Sequence, residues 1–460
     1  MSALDAVARG LASQAMGRGR TGIRLAALGD SIVEHGRYPA TGQIDTTKLR
    51  TDAWGFTTWA TILSGRRFAF DLSANFGLAG DTLVAGGPNP GMASRVPAIL
   101  ATRPHAVILM AGTNDDTALT GAAQSYGVLK AICRTLTAAG IKVVLMTTLP
   151  RASFAALTTP QILYARQQAA QRRHLCFALA KSLDNVFVFD AAALFQSPTA
   201  AGLADAGLFF DGVHPNNKGA FVLGRALATY LGQIFPGTAY AADLGYDPVG
   251  DAYDASANPS GNQLANPTLQ GAVALSGTYW SGVAPTGWTG SNSNGGPAGV
   301  VTRGAGAQLA ARPDGLPGTQ WQMTLGNASA AAANGGYGQA LSLSQTLTAG
   351  IVPGAAMQAR MAVDVAGSPV SLWGVRLQIR FRDAGGASIY TVADGEPQTA
   401  GGGLPDGVAW SGVLETPACI VPATAASAIV SIDAYLDQTN ASAAAVIQPK
   451  YAHFGRIVSA

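Results

Sequence analysis

Gly29-Asp30-Ser31 ends an apolar run, Ile23–Leu28, and opens a polar loop. A serine at the C-terminal end of a strand projects into the crevice where open α/β sheets bind ligands. Far downstream, Asp211-Gly-Val-His214-Pro-Asn216 precedes a helical pattern. On a tight turn that spacing lets the carboxylate fix the tautomer of the imidazole and stabilise its protonated form, while the other ring nitrogen faces a hydroxyl. The same turn also reads as a helix N-cap on Asn216 or Asn217. Between these motifs lie Asn75-Phe-Gly77-Leu-Ala-Gly80-Asp81-Thr82 and Gly112-Thr113-Asn114-Asp115. A glycine N–H can be aimed at a developing negative charge, and an asparagine side chain adds a neutral donor. Taken singly, each motif is ordinary loop chemistry. Four of them in this order, all at strand ends, outweigh that reading.

The elements that must position these residues are legible as alternation. Short apolar runs at Ile23–Leu28, Phe68–Ser73, Val107–Met110, Val143–Thr147 and Val186–Phe189 read as strands. Helical patterns at Gly55–Leu63, Gln124–Ala139, Pro160–Ser182 and Lys218–Phe235 separate them. Runs such as AVILM and KVVLM suit parallel strands covered on both faces, so the expected fold is a doubly wound α/β/α sandwich.

With its four motif blocks in place, the stretch of about residues 20–235 resembles the SGNH hydrolase superfamily, the GDSL-type esterases and lipases. The resemblance implies Ser31 as nucleophile, His214 as general base and Asp211 as its orienting partner. It also implies an oxyanion hole of Gly80, Asn114 and the Ser31 backbone N–H. Ile32 stands where many members have leucine. The resemblance says nothing specific about the polar loop Gly36–Asp52, directly after the nucleophile, which is expected to shape the cleft.

The chain changes character near residue 240. Residues 1–240 hold 21 Lys+Arg against 13 Asp+Glu, and residues 241–460 hold 8 against 13. The later part has five of the seven tryptophans, and strand-like segments at Thr319–Leu325, Ser371–Phe381, Ser388–Val392 and Ala428–Tyr435. We therefore expect an N-terminal segment 1–22, a hydrolase-like domain 23–240, a linker 241–261 and an all-β sandwich or jelly roll 262–460. Asn266-Pro-Thr-Leu-Gln-Gly271 with Pro285-Thr-Gly-Trp288 resembles the opening of jelly-roll carbohydrate-binding modules. Trp280 and Trp288 are the candidate sugar contacts, against the reading, favoured for any single tryptophan, that a sandwich core buries them.

Other chemistries are poorly represented. The net charge is only +3 and no Lys/Arg run appears, which argues against a nucleic-acid partner. No stretch of 18 apolar residues suggests a membrane span. No H-E-x-x-H zinc site or phosphate loop is present, Cys133 and Cys176 read as core residues, and His35, His105, His174 and His453 are widely spaced. No metal or other cofactor is expected. Two readings stand: an esterase that removes O-acyl groups, O-acetyl first, from a glycan, with lipase or thioesterase chemistry as its variant; and a phage-tail or surface glycan-binding protein with a secondary or silent hydrolase domain. A tail-borne deacetylase acting outside the cell unites them, and the start of the chain, with Asp5 and Arg9, does not read as a signal peptide.

Overall fold

A computed structural model describes residues 22–36, 48–85, 89–110, 112–154, 157–200, 203–236, 252–254, 256–258, 261–275, 280–292, 302–311, 320–327, 341–397, 402–437 and 439–457. Residues 1–21 of the expected N-terminal segment, most of the linker and residues 37–47 lie outside the described residues.

In chain order the first half contains β1 (Ile23–Gly29), α1 (Ser31–Glu34), β2 (Lys48–Asp52), α2 (Phe56–Leu63), β3 (Phe68–Gly77), α3 (Val96–Thr102) and β4 (Ala106–Met110). Then come α4 (Thr113–Thr117), α5 (Ala122–Ala138), β5 (Lys142–Met146), α6 (Thr159–Ser182), β6 (Val186–Phe189), α7 (Ala191–Leu194) and α8 (Asn217–Ile234). All of these strands except β2 form one parallel sheet in the order β3-β1-β4-β5-β6. The strands are apolar throughout because both faces are covered. Leu25, Ala27, Ile108, Met110, Val144 and Met146 pack with α2 and α8 on one side. Their alternates Ala26, Leu28, Val107, Leu109, Val143 and Leu145 pack with α3, α5 and α6 on the other, where Cys133 and Cys176 are also buried. The chain reverses its direction of winding between β1 and β4, so the loops after these two strands flank a crevice.

The second half is a β-sandwich. Its strands are β7 (Val273–Ala274), β8 (Trp280–Ala284), β9 (Thr289–Asn292), β10 (Thr302–Leu309), β11 (Gln320–Asn327), β12 (Leu341–Leu347) and β13 (Ala356–Val370). They continue with β14 (Leu372–Arg382), β15 (Ser388–Glu396), β16 (Trp410–Glu415), β17 (Cys419–Ile420), β18 (Ser427–Leu436) and β19 (Ala444–Arg456). One sheet runs β16-β13-β19-β11-β10-β8-β7, with β17 also on β13; the other runs β2-β15-β14-β18-β12-β9. Alternate residues such as Val375, Leu377, Ile379 and Phe381 of β14 point into the core against Met357, Met361 and Val363 of β13.

Burial corrects two expectations about this half. Trp280 and Trp288 are only 7% and 4% exposed, and both belong to the sandwich core. Trp280 Nε1 donates to the Ser291 carbonyl at 3.3 Å, and Trp288 Nε1 donates to the Asn266 carbonyl at 3.0 Å. Gly290 and Gly304 lie flat against the Trp280 ring, where a Cβ would clash. Indoles occupied in this way present no face to a sugar, so neither residue is a glycan platform.

The polar loop after the nucleophile also holds a surprise. Its end, β2, pairs in parallel with β15 as the edge strand of the C-terminal sheet, Val392 opposite Leu49 and Ala393 opposite Arg50. The excursion begins and ends at one point. A Cβ on Gly55 would lie 2.1 Å from the Gly36 Cα, so the two glycine backbones touch and only glycine fits. Among the described residues, no helix is long and apolar enough to cross a membrane.

Candidate active site

Asp30 caps α1, its side chain accepting the Ile32 N–H at 3.0 Å, and this turn places Ser31 at the mouth of the crevice. Gly29 permits the turn, since a Cβ there would meet the Val33 side chain and, at 2.7 Å, the Met110 carbonyl oxygen. On the far side, Asn216 caps α8 by accepting the Gly219 N–H, while the turn before it carries Asp211 and His214. Both readings of that turn therefore hold together. The Asp211 carboxylate accepts the Val213 and His214 backbone N–H groups at 2.9 and 2.8 Å. Its other oxygen lies 2.6 Å from His214 Nδ1, and His214 Nε2 lies 2.7 Å from Ser31 Oγ. Partial burial works to raise the Asp211 pKa, but these hydrogen bonds and the imidazole outweigh it and hold the carboxyl below its usual value.

The two donor loops are tied to the serine helix. Leu78 N–H bonds to the Gly29 carbonyl at 3.1 Å, and Ala79 N–H bonds to the Glu34 carboxylate at 2.9 Å. Asn75 joins the same turn, donating to the Val33 carbonyl and accepting the Gly77 N–H. Gly80 takes a positive φ of 74°, the left-handed region that glycine enters at no steric cost. Asn114 donates through Nδ2 to the Asp81 carbonyl at 2.9 Å, which ties its side chain to the turn that carries Gly80.

Sequence reading missed several contributors. Arg95 donates to the Gly29 and Phe76 carbonyls at 3.1 and 2.6 Å and pairs with the Asp81 carboxylate, stitching both strand ends to the Gly80 turn. An isolated arginine in a 3-10 turn carries no signal of that role. His35, to which no motif assigns a part in the site, has its ring 4.8 Å from that of His214. Trp54 stacks on His35 at 4.7 Å and on Phe210 at 4.8 Å, and Phe210 in turn stacks on His214 at 5.5 Å. Burial, aided by the neighbouring His214, pushes the His35 pKa down to about 3, so it stays neutral beside the imidazole. Burial likewise raises the Asp30 carboxyl to about 6.

Residues 27–220 match the family model of GDSL-like lipases and acylhydrolases. This part of the chain is similar to GDSL-like acylhydrolases. Among solved structures, this chain is similar to an aryl esterase of M. smegmatis, with 21% identity, 46% of this chain and 100% of that chain covered, and a TM-score of 0.36. It is similar to a carbohydrate acetylesterase from Sinorhizobium meliloti at 20% identity, with 46% and 100% covered and a TM-score of 0.36. A catalytic mutant of an acetylxylan esterase from Geobacillus stearothermophilus gives 20% identity, 46% and 94% coverage, and a TM-score of 0.35. A comparison with curated proteins found no match. Ser31, Gly80, Asn114, Asp211 and His214 all lie within the matched residues.

Proposed function

We propose that the protein is a serine esterase that removes O-acyl groups, O-acetyl foremost, from a carbohydrate. In this reading residues 23–240 are the hydrolase domain and residues 262–460 the β-sandwich domain. The observation that carries it is the unbroken line of hydrogen-bonding contacts from Ser31 Oγ through His214 to Asp211. His214 Nε2 takes the Ser31 proton as Oγ attacks the ester carbonyl carbon, while Asp211 stabilises the imidazolium. The carbonyl π electrons move to oxygen, and that oxyanion is held by the N–H groups of Ser31 and Gly80 and by Asn114. One Asn114 Nδ2 hydrogen is used on the Asp81 carbonyl, and the amide carries a second for the oxyanion. The carbon–oxygen bond to the alcohol breaks, and His214 returns its proton to the departing alkoxide. Water, deprotonated by His214, then attacks the acyl-Ser31 carbonyl and releases the carboxylic acid and free serine.

A carbohydrate as the alcohol is supported by the flanks of His214. The leaving alkoxide must lie beside His214 Nε2 to receive its proton; half-buried Phe210 stacks on His214, and half-buried Trp54 stacks on Phe210 in turn. Aromatic planes suit the apolar faces of a sugar ring. The test is acetate release from a panel of acetylated glycans by the full chain. Wild type should release acetate, Ser31→Ala should not, and an active-site serine reagent should add its mass at Ser31 alone. Wild-type turnover by Ser31→Ala would sink the assignment.

A further inference from the structure

The excursion between Gly36 and Gly55 leaves the α/β domain, adds β2 to the other domain's sheet and returns beside the catalytic serine helix. Its two ends carry the two rings that meet at the site, since His35 precedes Gly36 and Trp54 precedes Gly55. Their planes are only 12° apart at 4.7 Å. What fixes Trp54 is the C-terminal sheet. Ala53 N–H bonds to the Glu396 carbonyl at 2.8 Å. Thr51 Oγ1 donates to the Asp394 carboxylate at 2.5 Å and accepts the Gly395 N–H at 3.1 Å. Arg66, in the turn that follows α2, reaches the same Asp394 carboxylate at 2.5 Å and the Glu415 carbonyl at 2.7 Å. Trp54 is thus anchored on its N-terminal side by a strand ladder and on its C-terminal side by the Gly55–Gly36 contact. It is half-buried, and its ring stacks on both His35 and Phe210, whose rings are themselves only 6.2 Å apart and so do not bracket the indole on opposite faces.

We infer that Trp54 is a specificity-determining residue that stacks on the ring of the leaving alcohol, and that the β-sandwich builds this part of the substrate site by holding β2. The inference rests on the esterase reading above and deepens it. It gives the sandwich a role at the reacting end of the substrate, in place of a tether to a distant part of a polymer. A ring alcohol gains contact with a fixed indole plane; a two-carbon alcohol is too small to cover it. The gain depends on the plane being held in place before the substrate arrives, which the Thr51, Ala53 and Asp394 contacts provide. Asp394 touches no substrate and acts as a positioning residue.

The experiment measures kcat/KM on glucose pentaacetate and on ethyl acetate, for the full-length wild type and for Trp54→Leu, Trp54→Phe and Asp394→Asn. Leucine keeps apolar bulk against His35 and removes the flat face. Trp54→Leu should lower the ratio of sugar ester to ethyl ester by about tenfold, mainly through KM, and Trp54→Phe should restore most of it. Asp394→Asn should shift the ratio in the same direction, which a loss of stability alone would not do. Thermal unfolding of each variant identifies any that fails to fold, and Trp54→Phe and Asp394→Asn keep the test decisive if Trp54→Leu is one of them. An unchanged ratio in folded Trp54 variants overturns the inference while leaving the esterase reading intact. A wild type that hydrolyses neither ester overturns the esterase reading itself.

Discussion

Asp211 and His35 both adjoin the His214 imidazole, and they act on it differently. Asp211 accepts two backbone N–H groups besides the ring N–H, so its orientation does not depend on the histidine. Asp211→Asn should keep the turn but lose the tautomer control and the charge that stabilises the imidazolium. A fall in kcat of roughly 10²–10⁴-fold is expected for a soluble acetate ester, read by steady-state kinetics with the thermal midpoint as the control for folding. His35 is instead a neutral wall. Its folded pKa of about 3 lies below the ordinary 6.5 because burial and then the His214 charge disfavour protonation, against a smaller opposing pull from Asp211. A histidine depressed in this way stabilises the fold fully above its unfolded pKa, and that contribution is lost as pH falls from about 6.5 towards 3. The thermal midpoint of wild type should therefore drop more between pH 7 and pH 4 than that of His35→Phe, which keeps a ring there and cannot titrate. Equal drops would remove His35 from the acid lability of the site.

Scale up to the elements and the degree of legibility changes from one to the next. Strands β1, β4, β5 and β6 were readable because both faces are buried, which leaves continuous apolar runs. The five residues carried over from the motifs were readable for a related reason: each sits where one of those strands or helices begins or ends. By contrast β2, Lys48–Asp52, contains a single apolar residue and no alternation. Its polar side chains are satisfied by partners more than three hundred residues away, Arg50 by Glu396 and Thr51 by Asp394. No local pattern encodes that. His35 and Trp54 were illegible as site residues for the same cause, because the chain between them leaves the domain and returns. The return point gives a prediction. Gly55 has an ordinary φ of −91°, so the cost of a side chain there is steric alone. Gly55→Ala drives its Cβ into the Gly36 backbone and should lower stability by roughly 1–3 kcal/mol in urea unfolding. Its effect on sugar-ester turnover should exceed that on ethyl acetate, since Trp54 moves with it.

At the scale of the molecule, the opposite charges of the two halves become an interface. The basic first half contributes Arg50 and Arg66, and the acidic second half meets them with Glu396 and Asp394. Around these pairs the apolar contact is continuous. Ala53, Trp59, Ile62, Ala220 and Phe221 belong to the same buried cluster as the sandwich core, and Trp59 meets Trp410 edge to face at 5.6 Å. Ile62 packs so closely on β16 that a Cβ at Gly412 would reach its side chain at 2.7 Å. All five candidate site residues lie before residue 215, which by itself would let residues 1–240 carry the chemistry unaided. The shared core argues the reverse. Cut at residue 240, the chain would expose Trp59, Ile62 and Phe221 together and leave β2 with no strand to pair, a combination that favours aggregation over a folded monomer. Residues 1–240 should therefore show no cooperative thermal transition, or one far below that of the full chain, and little turnover even of a small soluble ester. Adding residues 262–460 as a separate polypeptide should recover part of that turnover if the two halves re-form the interface. A truncated protein with the full chain's midpoint and small-ester turnover would show that the interface is dispensable and that the sandwich has no part in building the active site.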